Sequence, residues 1–128
     1  MKQKTTFAPQ LIIDNGVTDI SFYTNAFGAN ERQRWSNDDG SIHVAELEID
    51  GILFHLHEQG KQKSCPGKVG SSTVIVGLMV DDVQAVFDQA VAAGAKIISA
   101  VTDYDYLYRQ GEIVDPFGHH WLIEKILR

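Results

Sequence analysis

Hydrophobic positions along the chain change period in a repeated order: alternation gives way to a helical stripe, then returns. Residues 6–13 read as a strand, and Pro9 within it points to a sheet edge or a bulge. Asp14-Asn15-Gly16 turns the chain. Val17, Ile20, Tyr23 and Phe27 then recur at helical spacing, with Gly28 as a C-terminal stop. Residues 31–36 predict a second strand and Asn37-Asp38-Asp39-Gly40 a turn. Residues 43–49 and 52–57 alternate well. Asp50-Gly51 between them is a strong hairpin signal, because the favoured two-residue turn needs positive φ at both central positions. The first half therefore predicts β-α-β-β-β.

Residues 59–72 carry Gly, Lys, Ser and Pro without periodicity and read as a surface linker. The second half then repeats the order. Residues 73–80 form a β-branched strand, Asp81 or Asp82 caps a helix, and Val83, Val86, Phe87, Ala90 and Val91 make its apolar stripe. Gly94 ends that helix. Residues 96–100 predict a strand, 102–107 a Tyr-rich loop, and 108–114 and 119–126 two further strands around the Asp115-Pro116-Phe117-Gly118 turn. Landmark spacings agree between the halves: Asp14 to Gly28 is 14 residues and Asp81 to Gly94 is 13, while Gly28 to Gly51 is 23 and Gly94 to Gly118 is 24. Two modules, about residues 6–58 and 73–127, thus make up a single domain over residues 1–128. Each is too small to bury much alone, so pairing them in one core is the stable arrangement.

Composition narrows the function classes. A net charge of −6 argues against a general nucleic-acid or anionic-membrane surface. No apolar run approaches the roughly 18–20 residues that span a bilayer, and Leu11-Ile12-Ile13 is too short for a signal-peptide core. The single Cys65 cannot form an internal disulfide, so a reducing cytoplasm is expected. No base stands beside it in sequence, and it reads as an incidental loop thiol. Gly-rich phosphate loops, G-x-S-x-G elbows and C-x-x-C pairs are all missing from the sequence.

Several segments together resemble a known family. They are Ile20-Ser21-Phe22-Tyr23, the helix ends Ala26-Phe27-Gly28-Ala29 and Ala92-Ala93-Gly94-Ala95, and the run from Arg109 through Asp115-Pro116-Phe117-Gly118-His119-His120-Trp121. On these residues the chain resembles the vicinal oxygen chelate superfamily of glyoxalase I, extradiol dioxygenases and bleomycin-resistance proteins, and within it the PhnB-like branch. The resemblance implies an α+β fold in which two βαβββ modules form a curved mixed sheet around a shared cavity, with helices on the outer face. It also implies a homodimer. In metal-dependent members each module offers one ligand from its first strand and one from its last. Counting from Gly51 and Gly118 places the last-strand positions at His55 and Leu122. Counting back from Asp14 and Asp81 places the first-strand positions at Ala8 (or Phe7, given the extra residue) and Ile75. Only His55 is a ligand type, whereas a catalytic zinc-type site needs about three protein ligands. The resemblance therefore implies reversible binding of a small organic molecule without a catalytic metal or other cofactor. The alternative is a divalent-metal-dependent lyase, isomerase or dioxygenase using shifted ligands such as Glu46, His55 and Glu124.

Strand alternation picks out the polar residues that would face such a cavity. Leu53, His55 and His57 share one face of their strand, and His120, Leu122 and Glu124 one face of theirs. If Ile49 pairs with Ile52 across the hairpin, Glu46 lies opposite His55 and can orient its ring. Trp35, Tyr104, Tyr106 and Tyr108 are candidates for stacking a planar ligand. Arg109 would either hold an anionic ligand or pair with Glu112 or Asp115, and its face is left open by the four-residue turn that follows.

Overall fold

The computed structural model describes residues 2–128. The first module contains β1 (Gln10–Ile13), α1 (Phe22–Phe27), β2 (Asn30–Ser36), β3 (Ile42–Ile49) and β4 (Ile52–Glu58). A short helix in the linker, α2 (Pro66–Val69), leads to the second: β5 (Ile75–Met79), α3 (Val83–Ala92), β6 (Lys96–Tyr104), β7 (Tyr108–Val114) and β8 (His120–Ile126). Each module is a four-stranded mixed sheet of one design, ordered β1-β4-β3-β2 and β5-β8-β7-β6. First and last strands run parallel and the others antiparallel. The repeat read from spacing is thus a repeat of topology.

Local chemistry explains the boundaries. Asp50 and Gly51 take φ of 50° and 84°, and the Glu48 carboxylate accepts the Gly51 N–H at 2.7 Å, closing the β3–β4 hairpin. Asp82 caps α3 by accepting the Ala85 N–H at 3.1 Å. Helix α1 is shorter than its apolar spacing predicts. The Val17 carbonyl is taken by the Ile42 N–H at 2.8 Å, and the Asp19 carboxylate accepts both the N–H and the hydroxyl of Ser21, so the chain bends before the helix begins. Strand β6 is longer than predicted. Thr102, Asp103 and Tyr104 pair with Gln110, Arg109 and Tyr108, drawing most of the Tyr-rich segment into the sheet.

One core serves both modules. The first sheet contributes Ala45, Leu47, Phe54 and Leu56, the second Ile113, Trp121 and Ile123. Phe22, Tyr23 and Ala26 of α1 and Val83, Phe87 and Ala90 of α3 complete it. Each fully buried large aliphatic or aromatic side chain contributes about 1.5–3 kcal/mol. The Trp121 ring is the meeting point, with ring centroids 4.8 Å from Phe27, 5.7 Å from Phe54 and 5.9 Å from Tyr23.

A buried carboxylate fixes that junction. Asp115, 4% exposed, accepts the Tyr23 hydroxyl at 2.6 Å and the Trp121 indole N–H at 3.0 Å on one oxygen. Its other oxygen accepts the backbone N–H groups of Phe117 and His119 at 2.9 and 3.0 Å. A charge so deeply buried is tolerable because four donors surround it. Since Tyr23 belongs to the first module and Asp115 to the second, this network ties the two together. The His119 Nε2–H adds a second tie by donating to the Ile12 carbonyl at 2.8 Å. Burial pushes the Tyr23 phenol well above its ordinary pKa, and the Asp115 charge and hydrogen bond push it further. Cys65 is buried too. Its thiol donates to the Asp14 carboxylate at 3.1 Å, and burial followed by that contact raises its pKa.

Two outcomes follow for stability. Asp115→Ala strands the buried Tyr23 hydroxyl and Trp121 N–H, and should cost about 3–5 kcal/mol in urea unfolding, against about 1–2 kcal/mol for Tyr23→Phe. The second concerns pH. With its folded-state pKa raised, Tyr23 keeps a proton that the unfolded chain releases above about pH 10. Its contribution is therefore full below that pH and is lost as pH rises beyond it. Urea titrations from pH 8 to 11 should show the wild type losing stability more steeply than Tyr23→Phe at the alkaline end.

Candidate functional site

The faces turned away from the core carry the polar residues. On the first sheet, β4 alternates so that Phe54 and Leu56 are buried while Leu53, His55 and His57 point the other way. The hairpin register sets Ile49 against Ile52 and Glu46 against His55, as the Asp50-Gly51 turn requires. The His55 Nε2 lies 3.7 Å from the Glu46 carboxylate. Its Nδ1 hydrogen-bonds the Gln10 side-chain amide, for β1 runs parallel to β4 with Gln10 beside His55. The imidazole is thus gripped from both sides. His57 does not join this group. Its Nδ1–H donates to the Glu58 carbonyl at 2.6 Å, and its ring lies edge-on to His43. Trp35 pairs with Val44 on the same face and is 46% exposed.

The equivalent face of the second sheet is arranged differently. There β5 runs beside β8 with Gly77 next to Leu122, the positions matching Gln10 and His55. Glu124, two residues on, is 9% exposed. Its carboxylate leans over Gly77, where an added Cβ would stand 2.6 Å from Oε2. The Gln110 amide N–H donates to Oε1 at 2.8 Å, and the Tyr106 hydroxyl reaches the Gln110 carbonyl oxygen. Tyr104 and Tyr106 stack, with centroids 5.2 Å apart and planes within 9°. The tyrosines therefore pack against one another around the exposed Tyr104–Tyr108 turn. Loss of solvent, followed by the Tyr104, Glu124 and Asp105 charges, holds the Tyr106 phenol above its usual pKa.

A cleft of about 360 Å³ lies where the sheets meet, lined by both modules: Leu53 and Phe54 from the first, Gly77, Met79, Trp121 and Glu124 from the second. Its size falls at the small end of ligand pockets. The walls are apolar apart from the Glu124 carboxylate.

Arg109 is corrected by the structure. It shares the face of Gly111 and Ile113, opposite to Gln110 and Glu124. It pairs with neither Glu112 nor Asp115. Its guanidinium makes a two-point contact with the Asp103 carboxylate directly across β6–β7, at 2.7 and 3.1 Å, and this raises its pKa. Glu112 is held instead by His120 at 2.7 Å.

The donor set can be tested against the divalent metal that the resemblance brings to mind. Parallel pairing moves the first-strand positions by two residues from the sequence count, to Gln10 and Gly77 in place of Ala8 and Ile75. Gln10 is the residue that counting missed. Its place in the alternation Ala8-Gln10-Ile12 was the available signal. The four positions therefore hold Gln10, His55, Gly77 and Leu122. At these positions the second module offers no side-chain donor atom, and about three ligands are needed. Glu46 and His55 adjoin, but no group of three His, Cys, Asp or Glu side chains suited to a metal occurs among the described residues, so Glu124 is not brought to them. The residues of this chain do not fit the family's metal site.

Comparison with known proteins bears on the fold and the lineage. An uncharacterised protein of Mycobacterium bovis is 35% identical over 126 residues, covering 94% of this chain and 83% of its own. The crystal structure of an Arabidopsis thaliana gene product superposes with a TM-score of 0.72 at 26% identity, over 94% of this chain and 98% of that one. TioX from Micromonospora sp. ML1 gives a TM-score of 0.72 at 25% identity, over 95% and 100%. The model of the Glyoxalase/Bleomycin resistance protein/Dioxygenase superfamily matches residues 13–123. With that match spanning both βαβββ modules, the chain belongs to the glyoxalase/bleomycin resistance protein/dioxygenase superfamily.

Proposed function

We propose that this protein binds a small organic molecule reversibly, in the cleft where its two modules meet, without a catalytic metal. One observation carries the reading: the second module presents Gly77 and Leu122 where metal-dependent relatives would need donors. The cleft between the modules is a concave apolar surface with a single carboxylate. Binding would be sequestration by apolar contact, with Glu124 on one side and the Gln10–His55–Glu46 group on the neighbouring face orienting polar parts of the guest. The chain acts as a homodimer of the PhnB-like branch. Half-exposed Trp35 and Ile75 are apolar surface that a second copy would cover. Among the described residues no helix is long and apolar enough to cross a membrane. The unpaired Cys65 suits a reducing, cytoplasmic setting.

A second reading, a metal-dependent lyase, isomerase or dioxygenase, is favoured by one feature. Gln10 and Glu46 flank His55, so the first module retains a potential half-site. Elemental analysis separates the two. Protein purified after incubation with zinc, manganese or nickel and then dialysed should carry well under one equivalent of metal, and His55→Ala should not change that content. One equivalent in the wild type, lost in His55→Ala, refutes the proposal in favour of the second reading.

A further inference from the structure

Glu124 is nine-tenths buried in a cleft whose other walls are apolar, with the Gln110 amide donating to it. Only one of its oxygens is used: Oε1 accepts from Gln110, whereas Oε2 has no hydrogen-bond partner among the described residues. Nor is Oε2 sealed off, since no buried side-chain oxygen or nitrogen lacks a partner among the described residues. It opens into the cleft beside Gly77, and the missing Cβ there is what gives it room.

The cations nearby are spoken for. Lys125, next in sequence, projects from the other face and pairs with Asp81 at 3.0 Å, and Arg109 on that same face is held by Asp103. The single donor on Glu124, the Gln110 amide, is neutral, so no cationic side chain pairs with this carboxyl group among the described residues. Leu53 and Val76 stand among the apolar residues that line the cleft with it. Phe7 and Met79 on the rim offer exposed apolar surface for the rest of a guest. The net charge of −6 favours the approach of cations and disfavours anions.

We infer that the cleft selects organic cations: a protonated amine set on Glu124 Oε2, carried by a compact aromatic or aliphatic body that fills the apolar walls. This rests on the small-molecule reading above and adds the chemical class of the guest. Gly77 is the positioning residue, because any side chain there would displace the oxygen that receives the ammonium.

The test uses the full chain and a matched pair of probes, 2-phenylethylamine and the neutral 2-phenylethanol, titrated by calorimetry. Shifts in the Gly77 and Leu53 amide resonances report where each one sits. The amine should bind at least about tenfold more tightly, the equivalent of 1.4 kcal/mol. Glu124→Gln keeps shape and volume and should bring the ratio of affinities close to one. Gly77→Ala keeps the charge but moves it, and should lower the ratio as well. Thermal melting verifies that both variants remain folded, and the amine-to-alcohol comparison in the wild type stands without them. Equal affinity for the two probes overturns the cation selectivity while leaving small-molecule binding intact. A preference for the amine that survives Glu124→Gln overturns the assignment to Glu124. Failure of both probes to bind overturns the inference as well. Nile red, a neutral apolar dye, then separates the readings: its uptake keeps the general binding function, and its exclusion removes that too.

Discussion

The buried Asp115 carboxylate is the constraint on which the arrangement of the two modules depends. A charge this far from water is stable only while donors surround it, and those donors come from three places: the α1 tyrosine, the β8 tryptophan and the turn backbone. Satisfying them fixes where α1 lies against the second sheet. That in turn sets Trp121 among Phe27, Phe54 and Tyr23 and brings β4 towards β5. The cleft is a consequence of this docking, for its walls are the margins of two sheets that meet only because their other faces share a core.

With the scaffold fixed in this way, chemistry is left to the outward faces, where the two modules have diverged. Topology and register correspond strand for strand, yet Gln10 and His55 in one module are matched by Gly77 and Leu122 in the other. A glycine in the middle of a strand weakens it unless something must approach it closely. Here the Glu124 carboxylate does. The second module presents an apolar wall and one acid, Glu124, where the first presents a pair of polar side chains.

Much of this was legible in the sequence wherever local chemistry sets geometry. Asp50-Gly51 permits one kind of turn, and that turn alone places Glu46 opposite His55. Alternation separated Phe54 and Leu56 from His55, and Trp121 and Ile123 from Glu124, because a strand has only two faces. Non-local pairings were not legible. The parallel register of β1 on β4 and of β5 on β8 depends on how long connections pack, so counting from the helix caps reached Ala8 or Phe7 and Ile75 and fell short of Gln10 and Gly77. The four-residue turn at Asp115–Gly118 left the β7 register open, which concealed that Arg109 faces away from the site. Asp115 itself read as a turn former. Its second role as the anchor of the core needs Tyr23, 92 residues away, to be seen.

The central claim is that the chain has the superfamily's fold while the residues at the metal positions do not make up a donor set. Anomalous diffraction from crystals grown in manganese tests it most directly. The account predicts no fully occupied peak within coordination distance of His55. A full-occupancy ion there, held by His55 and at least two further protein ligands from this chain or a second copy, would contradict it.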